Sequence, residues 1–146
     1  MSELPFAESY RDLIVYRKQR TLSRELFNRS KAFPLEERFS LTDQMRRAVR
    51  AIGAQIAEAW AKRRYEKHFI SKLTDADGER LETEHWLVSA HDAGYLSPEE
   101  TRKYIAQCKE LGAMLGSMVE NSERFCRPSL RVAEGISDFA PDTSDY

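Results

Sequence analysis

The sequence predicts an all-α protein, an antiparallel up-down-up-down four-helix bundle followed by a flexible acidic C-terminal tail. Three observations predict it. Apolar residues recur three or four positions apart over long stretches, the period of a helix with one buried face. The five prolines, Pro5, Pro34, Pro98, Pro128 and Pro141, leave proline-free intervals at 6–33, 35–97 and 99–127. Helices can run there without the ~3 kcal/mol penalty of an internal proline. The middle interval must hold two helices, because a single one over residues 42–93 would be about 78 Å long.

Helix 1 is expected over 9–31, with Leu13, Tyr16, Leu22, Leu26 and Phe27 on its apolar side. Pro34 stops it by steering the preceding residue away from α geometry. Helix 2 starts near Ser40 or Thr42, either of which can cap it, and runs to about Arg64. Leu41, Met45, Ala48, Val49, Ile52, Ile56 and Trp60 form its stripe. No Gly or Pro marks the break expected within 61–68. Helix 3 runs over 66–92, carries Phe69, Ile70, Leu73, Ala76, Leu81, Leu87 and Val88, and ends at Gly94 as a C-cap glycine. Helix 4 has the clearest start. Ser97 is its N-cap, Pro98 its first residue, and Ser97 with Glu100 fits a capping box. Its stripe runs from Tyr104 through Cys108, Leu111, Leu115 and Met118 to Phe125. Residues 1–127 therefore read as one bundle domain. Residues 128–146, with Arg131 as the only base against Glu134, Asp138, Asp142 and Asp145, read as the tail.

The chain has 146 residues, 41% hydrophobic and 32% charged, a balance that suits amphipathic helices with wet outer faces. No apolar run reaches the ~18 residues of a membrane span. The N-terminus lacks the basic and apolar regions of a secretory signal, so a cytoplasmic location is expected, with Cys108 and Cys126 as free thiols rather than a disulfide. The net charge of −1 conceals a split: residues 1–72 hold 16 Lys/Arg and 9 Asp/Glu, residues 73–146 hold 7 and 15. The split fits an electropositive surface for an anionic partner, and equally fits oppositely charged helices packed side by side.

Arg46, Arg47 and Arg50 are the leading candidate site residues. Positions 46 and 50 share a helical face with 47 beside them, and arginine suits bidentate phosphate contacts. Lys62, Arg63 and Arg64, with Lys67, form a second cluster about four turns along. Together they suit sequence-independent binding to RNA or DNA phosphates. The competing reading, which base expectation favours, is a solvated face with Arg46 and Arg50 bridging Asp43 or carboxylates of another subunit. Only Tyr65 lies near, so no stacking platform is evident. Glu58, between Ile56 and Trp60, is expected partly inside, paired with Lys62 or a neighbouring arginine. Glu82-Thr-Glu-His85 has one Glu-x-x-His spacing where a di-iron bundle needs two. Neither a metal nor any other cofactor is expected, and with no nucleophile–base pair or phosphate loop the chain reads as non-enzymatic. Gly112-x-x-x-Gly116 suggests a flat surface for a neighbouring backbone, within the chain or on another subunit, the former being favoured.

The pattern Phe33-Pro34, Glu36, Leu41, Gln44, Arg46-Arg47-Ala48, Ile52 and Ile56-Ala57-Glu58 resembles a bacterial four-helix-bundle family. That family includes proteins encoded in intervening sequences of large-subunit ribosomal RNA genes. Phe69, Leu73, Ala76, Gly78, Glu82 and Gly94-Tyr95-Leu96 extend the resemblance, which covers residues 10–120. Two departures stand out in helix 2, where Gly53 replaces a proline and Ala59 a glycine, so a softer kink is expected. Around Gly78, Asp77 and Glu79 stand where the family tends to Arg and Ser. The resemblance implies a left-handed antiparallel bundle and homo-oligomers, pentameric rings in characterised relatives. A related branch resembles the accessory proteins of diversity-generating retroelements, which are strongly basic, bind nucleic acid and work with a reverse transcriptase. The implied partners are further copies of the chain, RNA or DNA, or a protein; the alternative function is a protein-interaction scaffold without nucleic-acid affinity.

Overall fold

The computed structural model describes residues 7–126; the tail expected at 128–146 lies outside them. Four long helices, α1 (Ile14–Ser30), α2 (Leu41–Ala61), α3 (Glu66–Asp92) and α4 (Pro98–Glu120), make up the fold, with single 3-10 turns at Tyr10–Asp12, Leu35–Glu37 and Ser122–Arg124. Each helix packs against its sequence neighbours, and α1 closes the bundle against α4. This is the up-down-up-down arrangement that the apolar periodicity predicts. The core is continuous from Leu22 and Leu26 through Met45, Ile52, Ile56, Phe69, Leu73 and Leu87 to Leu111 and Leu115. Among the described residues no helix is long and apolar enough to cross a membrane.

The capping signals act as the sequence implies at the α3–α4 junction. Gly94 takes a positive φ of 81°, the Gly94 N–H bonds to His91 O at 2.9 Å, and the Tyr95 N–H bonds to Ala90 O at 2.9 Å. These two bonds are the Schellman closure, which satisfies carbonyls that the helix leaves open. Three residues later Ser97 Oγ accepts from the Glu100 N–H at 3.0 Å and Glu100 accepts from the Ser97 N–H at 3.2 Å, completing the capping box.

Helix boundaries depart from expectation where a side chain, not a breaker residue, sets them. Helix 1 does not begin at residue 9. Ser9 caps a 3-10 turn instead, reciprocated by Asp12, and Leu13 is extended (φ −68°, ψ 133°) before α1 begins. The extended residue turns both Leu13 and Val15 inward. Helix 2 ends at Ala61 rather than Arg64. Arg63 folds back so that its Nε donates to Trp60 O at 2.9 Å and its guanidinium lies 3.5 Å from the indole centroid. Ser40 occupies the N-cap position but donates its hydroxyl to Glu37 at 2.6 Å instead of capping. Helix 4 stops at Glu120, leaving Phe125 beyond a 3-10 turn. Helix 3 is apolar on more than one side. Leu81 and Val88 are not core residues; they are 53% and 46% exposed.

The small residues resolve into close approaches. Helix 2 is continuous through Gly53. A Cβ at 53 would lie 2.5 Å from Gln19 Oε1. Its absence lets the buried Gln19 donate from Nε2 to Val49 O at 2.8 Å. A Cβ at 112 would lie 2.6 Å from Arg80 Nε, so Gly112 serves an intrachain contact, whereas a Cβ at Gly116 meets nothing within 4 Å. Arg80 spans Asp77 at 2.7 Å and Glu84 at 2.5 Å, which gives the acidic residue before Gly78 a structural partner.

Candidate anion-binding cleft between the first two helices

The six basic residues singled out from the sequence do not form one surface. Arg46 is bound to the end of α1. Its Nε donates to Ser30 Oγ at 2.8 Å, its Nη2 to Phe27 O at 3.3 Å, and its guanidinium lies 4.5 Å from the Phe27 ring centroid. It thus supplies a donor to a terminal carbonyl of α1, where a cation also suits the negative end of the helix dipole. Arg47, not Arg46 or Arg50, pairs with Asp43, at 3.6 Å. Lys62 is the exposed C-cap of α2. Arg63 is buried on Trp60, and Arg64 is half-buried. Lys62, Arg63 and Arg64 lie in the α2–α3 connection, roughly 18 Å along the α2 axis from Arg50. Glu58 is exposed rather than partly inside, and its partner is Lys72 of α3 at 2.9 Å, not Lys62.

Much of the charge split is consumed inside the bundle. Basic α1 lies beside α4, where Arg29 pairs with Glu100 at the start of the helix and Lys18 with Glu110 at its middle. Arg29 also donates to Tyr95 O at 2.9 Å. The Arg29 hydrogen bond, followed by the Ser97 N–H, holds the Glu100 carboxyl down to about 2. Two α1 arginines are left over. Among the described residues Arg20 and Arg24 form no ion pair and no side-chain hydrogen bond, and both are exposed.

Arg20 and Arg24 are four residues apart, on one face of α1. That face meets Arg50 of α2 across a cleft of about 300 Å³. Arg50 leans over the Phe27 ring at 5.5 Å, which tethers it through an aromatic face without neutralising it. Among the described residues no acidic side chain lines the cleft. Gly53, Ala54 and Ala57 give α2 a shallow wall there, and Tyr10 and Tyr16 supply aromatic rings. The two rings meet edge to face, with centroids 4.9 Å apart. Three guanidinium groups with no carboxylate among the described lining residues, beside two phenol rings, form an environment for an anion attached to something flat.

Sequence reasoning missed Arg20 and Arg24. The available signal was their i,i+4 spacing with Arg17 and Lys18 alongside. Tyr16, on the apolar side of helix 1, packs half-buried against the core and also borders the cleft. A larger cleft of about 460 Å³ is lined mainly by apolar groups, among them Leu13, Val15, Trp60, Met114 and Met118. Its volume exceeds that of the arginine cleft, but its charged lining mixes Asp12 with Arg63 and Arg124, so size does not identify an anion site. The remaining candidate chemistry is local. Among the described residues no group of three or more His, Cys, Asp or Glu side chains could hold a metal ion. Glu82 accepts from the Trp86 indole at 3.3 Å. Cys108 and Cys126 form no disulfide, and burial pushes the Cys108 thiol up to about 12.

Comparison with known proteins agrees with this architecture. The chain is similar in structure to a protein of unknown function from the S23 ribosomal protein family of Bacteroides thetaiotaomicron. The TM-score is 0.66 at 28% identity, over 73% of this chain and 96% of that one. No curated protein matches the chain. The model of the 23S rRNA-intervening sequence protein family matches residues 11–117, which takes in α1, α2, α3 and nearly all of α4. Four helices in ring order, the Phe33-Pro34 and Arg46-Arg47-Ala48 pattern, and this match together place the chain in the 23S rRNA-intervening sequence protein family.

Proposed function

We propose that this chain is a non-enzymatic, homo-oligomeric helical-bundle protein that binds nucleic acid through phosphate contacts at the α1–α2 cleft. The observation that carries the reading is the convergence of Arg20, Arg24 and Arg50 on a cleft that, among the described residues, has no acidic lining. Basic residues elsewhere in α1 and α2 have intramolecular work: Arg29 and Lys18 neutralise α4, Arg46 ties α2 to α1, and Arg47 pairs with Asp43. These three do not. The family's name ties its members to 23S rRNA intervening sequences without assigning them a ligand. Self-association is supported by the exposed Leu81 and Val88, seven residues apart and so on one face of α3.

The test is nucleic-acid binding across a salt series, with solution mass measured in parallel. Affinity is expected to fall steeply with salt, by a log–log slope of ~0.7–0.9 per phosphate engaged. The Arg20→Gln/Arg24→Gln/Arg50→Gln variant is expected to lose about two to three of those phosphates' worth of slope. A flat salt response, or a variant that binds like the parent, overturns the reading. The alternative is a protein-interaction scaffold. It is favoured by Leu35 and Phe39, which stand 75% and 82% exposed in the α1–α2 connection. It gains if the intact oligomer binds no nucleic acid at low salt.

A further inference from the structure

We infer that the α1–α2 cleft takes an unpaired base together with its flanking phosphates, so that the partner is a single-stranded nucleic acid rather than a duplex. This rests on the phosphate-binding reading above and adds the class of nucleic acid. The two tyrosines carry it. Tyr10 reaches the cleft from the 3-10 turn that precedes α1, and Tyr16 from the first turn of α1. Both rings are half-buried: each packs one side against the core, Tyr10 has the Arg11 guanidinium 5.9 Å from its centroid, and both line the same space as the cleft arginines. The extended Leu13 between them turns the chain so that residues 10 and 16 meet, with ring centroids 4.9 Å apart and planes at 85°. One ring edge therefore braces the other ring's face, which fixes a phenol at the cleft at low conformational cost.

The opposite wall is Gly53, Ala54 and Ala57 of α2, residues too small to fill the gap themselves. The resulting volume of about 300 Å³ is at the small end for a ligand site and of the order needed by one nucleotide. A flat π face beside guanidinium groups is what base stacking with phosphate contacts requires, and every base has such a face. In a duplex the bases are stacked on each other and their faces are closed to a side chain, so only the phosphates would reach this site. The tyrosines then contribute to single strands alone.

The experiment compares one sequence as a fluorescent 12-nucleotide single strand, in RNA and DNA form, and as a duplex, at one fixed moderate salt. The proteins are the full chain, Tyr10→Leu/Tyr16→Leu, Tyr10→Phe/Tyr16→Phe, and the Arg20/Arg24/Arg50 glutamine variant, each first shown to be folded by circular dichroism. The single strand is expected to bind about 10-fold or more tighter than the duplex. The leucine variant is expected to lose that preference while retaining duplex affinity and salt slope. The phenylalanine variant, which keeps the rings, is expected to bind like the parent. Equal affinity for strand and duplex, or a leucine variant with undiminished preference, overturns the base-stacking inference while leaving the phosphate reading intact. Binding that survives loss of the three arginines overturns both. If the leucine variant is unfolded, Tyr16→Leu alone, with Tyr10 retained as the brace, decides the question by the same comparison.

Discussion

Gln19 of α1 occupies the space that a side chain at residue 53 of α2 would need. Its Oε1 lies 2.5 Å from the ideal Cβ position of Gly53, while its Nε2 donates to Val49 O at 2.8 Å. The amide and the missing methyl group are therefore one device that lets α1 approach α2. Gly53→Ala alone is expected to destabilise the fold by about 1 kcal/mol, because displacing Gln19 loses a buried hydrogen bond worth more than the gain in helix propensity. In a Gln19→Ala background the same substitution is expected to stabilise by about 0.5–1 kcal/mol. Urea unfolding of the four proteins in this double-mutant cycle checks the reversal of sign. An unchanged sign means the two residues are not coupled.

Arg46 and the cleft arginines are expected to separate in a stability measurement. Arg46→Ala removes two hydrogen bonds and a ring contact at the α1 terminus. The expected cost is about 1–2 kcal/mol. Arg47 has only a surface pair with Asp43, so Arg47→Ala should stay within about 0.5 kcal/mol. Arg20→Gln and Arg24→Gln should do likewise, since neither is paired among the described residues. Chemical denaturation midpoints of the four single variants decide this. A neutral Arg46→Ala would return Arg46 to the candidate phosphate contacts.

The Arg29–Glu100 pair predicts acid sensitivity. The Glu100 carboxyl is held at about 2, below its ordinary 4.5, first by Arg29 and then by the Ser97 N–H. Its stabilising contribution is complete above 4.5 and is lost as pH falls through about 2. With both side chains near one-third exposed, screening reduces that contribution to roughly 1 kcal/mol. Glu100→Gln keeps an N3 acceptor for the capping box while removing the charge. The stability gap between parent and variant, measured from pH 6 to pH 2.5, should close toward the acid end. A constant gap refutes the assignment.

Cys108 should be inert in the native protein. It is fully buried on α4, and burial raises its thiol to about 12. At pH 8 almost none is thiolate, the form that alkylates. Mass spectrometry of the Cys108 peptide after iodoacetamide treatment should show labelling only at the rate of unfolding. Rapid native labelling would mean that α4 opens locally.

Much of the architecture is legible because its determinants are local. Pro34, Gly94, Ser97 and Glu100 act through their own backbone and its nearest neighbours, so the α3–α4 junction reads directly from the chain. Boundaries set by packing are not legible in that way. The extended Leu13 interrupts no apolar periodicity, and the α2–α3 break depends on Arg63 settling over Trp60, with no glycine or proline to announce it. The same distinction governs the candidate site. Arg46 and Arg50 share a helical face in the sequence, but Phe27 and Ser30 from α1 divide their roles, one held at the helix terminus and one left at the cleft. Arg20, Arg24 and Arg50 come together only when two helices are docked, and no window of sequence contains that docking.

The four-residue turn between α2 and α3 has a consequence for the order in which the bundle assembles. Those two helices meet through a tight local connection, whereas the closing pair of Arg29 and Glu100 joins residues 71 positions apart. Closing the longer loop costs more chain entropy, so the α2–α3 hairpin is expected to collapse early and the shorter α1, of 17 residues, to seat late. Amide protons of α1 should then exchange with deuterium at lower free energy than those of α2. A cleft walled by α1 exists only after that final step. Any ligand it holds would slow exchange in α1 before it changed the hairpin.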